Sequence, residues 1–280
     1  MASIFGPVSV ISSARAYSSS LSGRVVVVTV TTLLCIAHAR RTTAGVVPCA
    51  AAIVASGSRK GPSGQRNAGP FLEYDFNTWR TVRDALPDSL QTASGLTVHI
   101  LKYHRDTRDT YADVRQVSRD IWGGDPSFYH PPPSSAVSID FILHLGMIAL
   151  GWDDAQFRFE TVARRAGYAL PGDDGQLVDA AELERLGLPA ELHTTLNVEA
   201  GCRQVKACFP DTVACVSGDA GLYFCEFRLY SSLAEPLLHE AWAAKRGKAT
   251  FVHLPQAHDE QSISLARDIV CTFIKGLVDG

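Results

Sequence analysis

Ile139-Asp140-Phe141-Ile142-Leu143-His144-Leu145-Gly146 is a nearly continuous apolar run of strand length that ends in glycine. A strand with one wet face alternates apolar and polar residues, whereas a strand buried on both faces does not. Both faces are covered where helices lie above and below a parallel sheet, so this run predicts an α/β fold. The flanking sequence repeats the alternation. Upstream, Thr78 to Leu86 reads as a helix stopped by Pro87, Leu96 to Tyr103 (LTVHILKY) as a strand, and Asp109 to Trp122 as a helix closed by Gly123-Gly124. Downstream come strands at Phe157 to Val162, Thr212 to Val216 and Ala249 to Leu254, and helices at Asp179 to Leu186, Val198 to Cys208, Ala220 to Leu233 and Ile263 to Val278. The expected architecture is a single three-layer α/β/α domain with a mostly parallel central sheet.

Composition narrows the function classes. The chain has 280 residues, 46% hydrophobic and 20% charged, with a formal net charge of −3. That balance argues against a nucleic-acid binder. Charge is unevenly placed, however. Residues 1–72 contain no Asp or Glu and seven basic residues (Arg15, Arg24, Arg40, Arg41, Arg59, Lys60, Arg66), so the remaining 208 residues carry −10. The split sets residues 1–68 apart as an N-terminal extension, read as disordered, transit-like or derived from an intron, ahead of a domain at 69–280. The longest apolar run, Val25 to Ala39, is 15 residues and holds three threonines, short of the roughly 20 that span a bilayer. No membrane partner is expected. Seven cysteines, odd in number and without a C-x-x-C pair, point to free thiols in a reducing compartment.

In open α/β sheets reactive side chains gather where strands end. Ser217-Gly218-Asp219-Ala220-Gly221-Leu222-Tyr223-Phe224-Cys225 follows one strand and puts Cys225 in the first turns of a helix, whose dipole favours a thiolate. Phe251-Val252-His253-Leu254-Pro255 puts His253 at the end of another strand, and Phe159-Glu160 offers a carboxylate on a third. Thiol, base and orienting acid can form a triad. Taken singly, each has a plainer reading: a core cysteine, a satisfied interior histidine, a solvent-facing acid. His193, Cys202, Cys208 and Cys215 match no zinc spacing, and phosphate-loop and dinucleotide fingerprints are absent, so neither metal nor cofactor is expected.

DAGLYFCEF, followed 28 residues after its cysteine by the histidine of FVHLP, resembles the pyroglutamyl peptidase I family of cysteine peptidases, especially its fungal forms. The strand IDFILHLGM is similar to the family's strand and Gly-Met turn, Glu160 lies eight residues before Tyr168 as in the fungal pattern, and Gly69-Pro70-Phe71 with Asn77 resembles the family's Gly-Pro-Phe loop. The likeness runs from about Gly69 to the C-terminus. It implies removal of N-terminal pyroglutamate from peptides, with Cys225 as nucleophile, His253 as base then acid, and Glu160 orienting the histidine. It also implies that Phe71, Asn77, Met147 and Phe224 line the substrate pocket, and that the enzyme is cytosolic. Pyroglutamate is an uncharged lactam, so its pocket should be apolar with a few backbone polar groups.

Two departures stand out. Arg66-Asn67-Ala68 precede Gly69 where the family has its first strand, so that strand is expected to be missing, unless Val25 to Val30 fills its place from about 60 residues upstream. Leu170 stands where bacterial relatives carry an Arg ten residues after the glutamate. A second reading therefore keeps the fold without the activity, as an inactive relative with a damaged strand and pocket loop. The oligomeric state is left open.

Overall fold

The computed structural model describes residues 24–34, 78–103, 108–130, 132–134, 136–148 and 155–280. In chain order the strands are β1 (Arg24–Leu34), β2 (Ser89–Gln91), β3 (Thr97–Tyr103), β4 (Tyr129–His130), β5 (Phe141–Met147), β6 (Phe157–Glu160), β7 (Val162–Arg164), β8 (Glu191–His193), β9 (Ala214–Ser217) and β10 (Ala249–Leu254). The helices are α1 (Thr78–Ala85), α2 (Tyr111–Gly123), α3 (Ala180–Arg185), α4 (Val198–Cys208), α5 (Phe224–Leu238) and α6 (Glu260–Asp279).

Every residue of β5 is buried, as its unbroken apolar composition requires. The main sheet runs β2-β3-β1-β5-β10-β6-β9, with β4 added beside β3. β3, β1, β5 and β10 are mutually parallel, while β6 pairs antiparallel with β10 and parallel with β9. β7 and β8 form a separate hairpin.

Strand alternation sorts the core into two layers. Phe141, Leu143 and Leu145 of β5, Phe157 and Phe159 of β6, and Val252 and Leu254 of β10 pack with α1, α4 and α6. There the Phe159 ring stacks on Phe273, with centroids 4.1 Å apart. Ile142, Ala249 and Phe251 pack with α2 and α5 on the opposite face. His144 and Gly146, Arg158 and Glu160, and His253 share that second face by the same alternation, so chemistry-bearing side chains from three strands converge beneath α5.

The sequence boundary after residue 68 requires one correction. β1 occupies the first-strand position that was expected to be empty. It lies parallel to β3 from Arg24↔Val98 to Val28↔Lys102. It is also parallel to β5 from Val26↔Phe141 to Val30↔Leu145, with an irregularity before Leu34↔Met147. RVVVVTVTTLL is rich in β-branched residues, which suit a strand. Backbone groups on the facing edges of β3 and β5 would otherwise be buried and unpaired. The rest of residues 1–68, with the targeting expectation attached to them, lies outside the described residues.

A second difference concerns α5, expected from Ala220 but starting at Phe224. Gly221 has φ +95° and Leu222 φ +49°. Two consecutive left-handed residues cannot belong to a right-handed helix, so the chain turns sharply before α5 begins.

Candidate active site

Leu222 is the one non-glycine residue with positive φ among those described, a conformation that costs about 1–3 kcal/mol and persists only under constraint. Glu226 provides that constraint. Its Oε2 accepts from the Leu222 N–H at 3.0 Å, and its carboxylate is held by Arg164 through Nε at 2.6 Å and Nη2 at 2.8 Å. Arg164 also reaches Asp219 Oδ1 at 2.7 Å, and that oxygen accepts from the Gly221 N–H at 3.3 Å. Arg164, Glu226 and Asp219 thus pin both sides of the turn. Burial works to raise the Asp219 carboxyl, but Arg164 outweighs it and holds the group below the usual carboxylate range.

This turn sets Cys225 as the second residue of α5, fully buried against β5. A Cβ added at Gly146 would lie 3.3 Å from Cys225 Sγ and 2.6 Å from Phe251 Cζ. Only glycine leaves room there for the thiol and the ring together. Gly146 and His253 are register partners on β5 and β10, which brings the imidazole beside the same thiol.

His253 is fully buried and hydrogen-bonded to Cys225. Its Nδ1 lies 2.9 Å from Glu160 Oε1, which leaves Nε2 for the sulfur. Burial alone would push the imidazole down. The hydrogen bonds to Cys225 and Glu160 and the charges of both residues outweigh it and raise His253 to about 9. Glu160 Oε1 also accepts from Arg158 Nε at 3.3 Å, and Arg158 Nη2 in turn reaches Ser217 Oγ at 2.7 Å and the Asp219 carbonyl at 3.1 Å. The three expected chemical residues therefore form one buried, hydrogen-bonded line from helix to β10 to β6.

Of the four expected pocket residues, Met147 ends β5, buried, in register with Leu254. Phe224 is buried with its ring stacked on Tyr111 at 4.6 Å and tilted against Tyr223 at 4.5 Å. Phe71 and Asn77 lie outside the described residues. Arg158, Arg164 and Glu226 were not expected at the site from the sequence, and Gly146 was expected only as the end of a strand and part of a Gly-Met turn. Arg158 had a usable signal, since it precedes Glu160 by two residues on a strand and so shares its face. Among the described residues no group of three His, Cys, Asp or Glu is placed to hold a metal ion, and no helix is long and apolar enough to cross a membrane.

Over 195 residues the chain is 31% identical to mouse pyroglutamyl-peptidase 1, covering 67% of this chain and 75% of the mouse protein. It belongs to the pyroglutamyl peptidase I family. Membership places it among the omega-peptidases, hydrolases of the cysteine-peptidase class. No protein-family profile matches it. The pyroglutamyl peptidase I fold is shared with solved structures: that of Bacillus amyloliquefaciens pyroglutamyl peptidase I has a TM-score of 0.55 at 15% identity, over 92% of this chain and 98% of that one. Pyrrolidone carboxyl peptidase from Thermococcus litoralis has a TM-score of 0.54 at 14% identity, over 92% and 94%.

Proposed function

We propose that this pyroglutamyl peptidase I family member removes N-terminal pyroglutamate from peptides with Cys225 as nucleophile, His253 as general base and acid, and Glu160 as the group that orients the imidazole. The observation that carries the reading is the continuous Cys225–His253–Glu160 hydrogen-bonded line. In this reading the thiol proton passes to His253 Nε2, and Sγ attacks the pyroglutamyl carbonyl carbon, forming a C–S bond while the carbonyl π electrons move to oxygen. Collapse breaks the C–N bond, and His253 delivers the proton to the departing amine. Water, deprotonated by the same histidine, then cleaves the thioester and releases pyroglutamate. The first turn of α5, which includes Cys225, directs backbone N–H groups and the positive end of the helix dipole at the charged oxygen.

Phe71, Asn77, Met147 and Phe224 are assigned to the ring pocket, Met147 and Phe224 through backbone groups. An uncharged lactam suits such an apolar wall, and a free α-amine does not. The enzyme is assigned to the cytosol, with pyroglutamyl peptides as its partners. The test is release of a fluorescent coumarin amine from its pyroglutamyl amide by the full chain. Cys225→Ser is expected to abolish turnover, and a serine variant that keeps its activity would sink the assignment.

A further inference from the structure

Arg228 is fully buried, one turn beyond Cys225 on α5. None of its Nε, Nη1 and Nη2 has a hydrogen-bond partner among the described residues. A guanidinium stays charged at any pH a protein meets. Taking such an ion out of water without a paired counter-charge costs several kcal/mol, and an apolar side chain of similar volume would be neutral or better for stability. Stability therefore does not account for the residue, and its position points elsewhere. Residues three apart share a helix face, and long helical side chains lean back toward the N-terminus. The spacing accordingly puts Arg228 on the face of α5 that carries the thiol.

We propose that Arg228 is a positioning residue for the peptidase reaction: its unpaired guanidinium supplies a positive field that favours the anionic form of the Cys225 thiol. The inference rests on Cys225 being the nucleophile. Burial lowers the pKa of Arg228, while Asp109, Asp113, Tyr103 and the Cys225 thiolate oppose that lowering, so the cation and the sulfur feel one another.

The other charged groups around the sulfur divide into those already committed and those near Arg228. On α5 itself, Glu226 is tied to Arg164. β10 contributes His253, and β6 contributes Glu160, which Arg158 balances. His144 of β5 is held well below the ordinary imidazole range, first by burial and then by Arg228, so it stays neutral. Its Nε2 is 2.9 Å from Ser232 Oγ. The Tyr223 phenol, before α5, is pushed above its usual value by burial, with Asp109, Asp173 and Cys225 adding to the rise, and is neutral too.

Asp109 and Asp113 remain, on the approach to and within α2. Asp113 Oδ2 is occupied by the Arg108 N–H at 2.7 Å. Burial and then Asp173 push Asp109 up to about 7, against the pull of Arg228. Below neutrality Asp109 is therefore mostly protonated, so one of the two acidic groups that face Arg228 drops out of the charge balance around the thiol.

The thiolate of the intact protein can be titrated by its ultraviolet absorbance, as the difference between a protein and the same protein carrying Cys225→Ser. Arg228→Met and Arg228→Gln are each expected to raise the thiol midpoint by about one pH unit, with the same displacement in the acid limb of kcat/KM. Arg228→Lys, which keeps the charge without the planar fork, is expected to restore most of the shift. An unmoved midpoint in either folded neutral variant overturns the inference and leaves Cys225 as nucleophile. Failure of both neutral variants to fold would assign Arg228 a structural role and also overturn it. Turnover by the Cys225→Ser protein would remove the functional reading itself, and this inference with it.

Discussion

Glu160 Oε1 accepts from both His253 and Arg158, while Oε2 is buried with no hydrogen-bond partner among the described residues. One oxygen thus holds the imidazole and the arginine at once, and in the proposed mechanism the acid only orients His253. His253→Ala is expected to lower kcat about a thousandfold and Glu160→Gln by less, measured as release of the coumarin amine. Asp109 offers a pH-dependent check on stability. Its folded-state value, about 7, lies above the ordinary 3.8, so the folded chain binds this proton more tightly than the unfolded one. Stability from this group is complete below about 4 and declines as pH rises toward 7. Asp109→Asn should therefore raise Tm more at pH 8 than at pH 4, and a gain of equal size at both would contradict the assignment. Gly146 is a third residue-scale test. The Cβ of Gly146→Ala would stand 2.6 Å from the Phe251 ring, so denaturant unfolding should show a loss of about 1–3 kcal/mol from overpacking, with kcat/KM falling as the thiol is displaced.

At the scale of elements, β1 and the turn before α5 are where the sequence was least transparent. Val25 to Val30 carries a clear strand composition, but nothing local says which gap in a sheet it fills. Partners at Val98 and Phe141 are far along the chain, and composition carries no information about such pairing. The helix after Asp219 was legible and its first residue was not. Leu222 adopts a left-handed conformation because Glu226, Arg164 and Asp219 hold it there, and tertiary contacts of that kind leave no trace in propensity. β1 yields a direct prediction, because a central strand offers its backbone to a neighbour on each side. Val27→Pro removes a donor from the strand that pairs with Leu101 and Ile142. It should cost roughly 1–3 kcal/mol in chemical denaturation and lower the yield of folded protein. An unchanged unfolding midpoint would show that β1 does not contribute to the sheet.

For the whole molecule, the layered architecture could be read from periodicity because burial on two faces, or on one stripe, imposes composition directly. β5 is apolar throughout, and Ala266, Ile269, Val270, Phe273, Ile274 and Leu277 form the buried stripe of α6. Cys225, His253 and Glu160 were legible through their motifs, and the structure brings them together on one face. Arg158 and Arg228 were not. Each owes its environment to the crossing of elements distant in sequence, and a lone arginine in a strand or helix usually points to water.

The place of β1 also sets an order of events in synthesis. Arg24–Leu34 leaves the ribosome before either neighbour, and β5 is complete only after more than a hundred further residues have been added. At ~5–20 residues per second that interval lasts roughly 5 to 20 seconds. For that time a β-branched segment waits with at least the edge meant for β5 open, a state prone to pair with a strand of another nascent chain. The strand at the centre of the finished sheet is the one that waits longest for both of its neighbours.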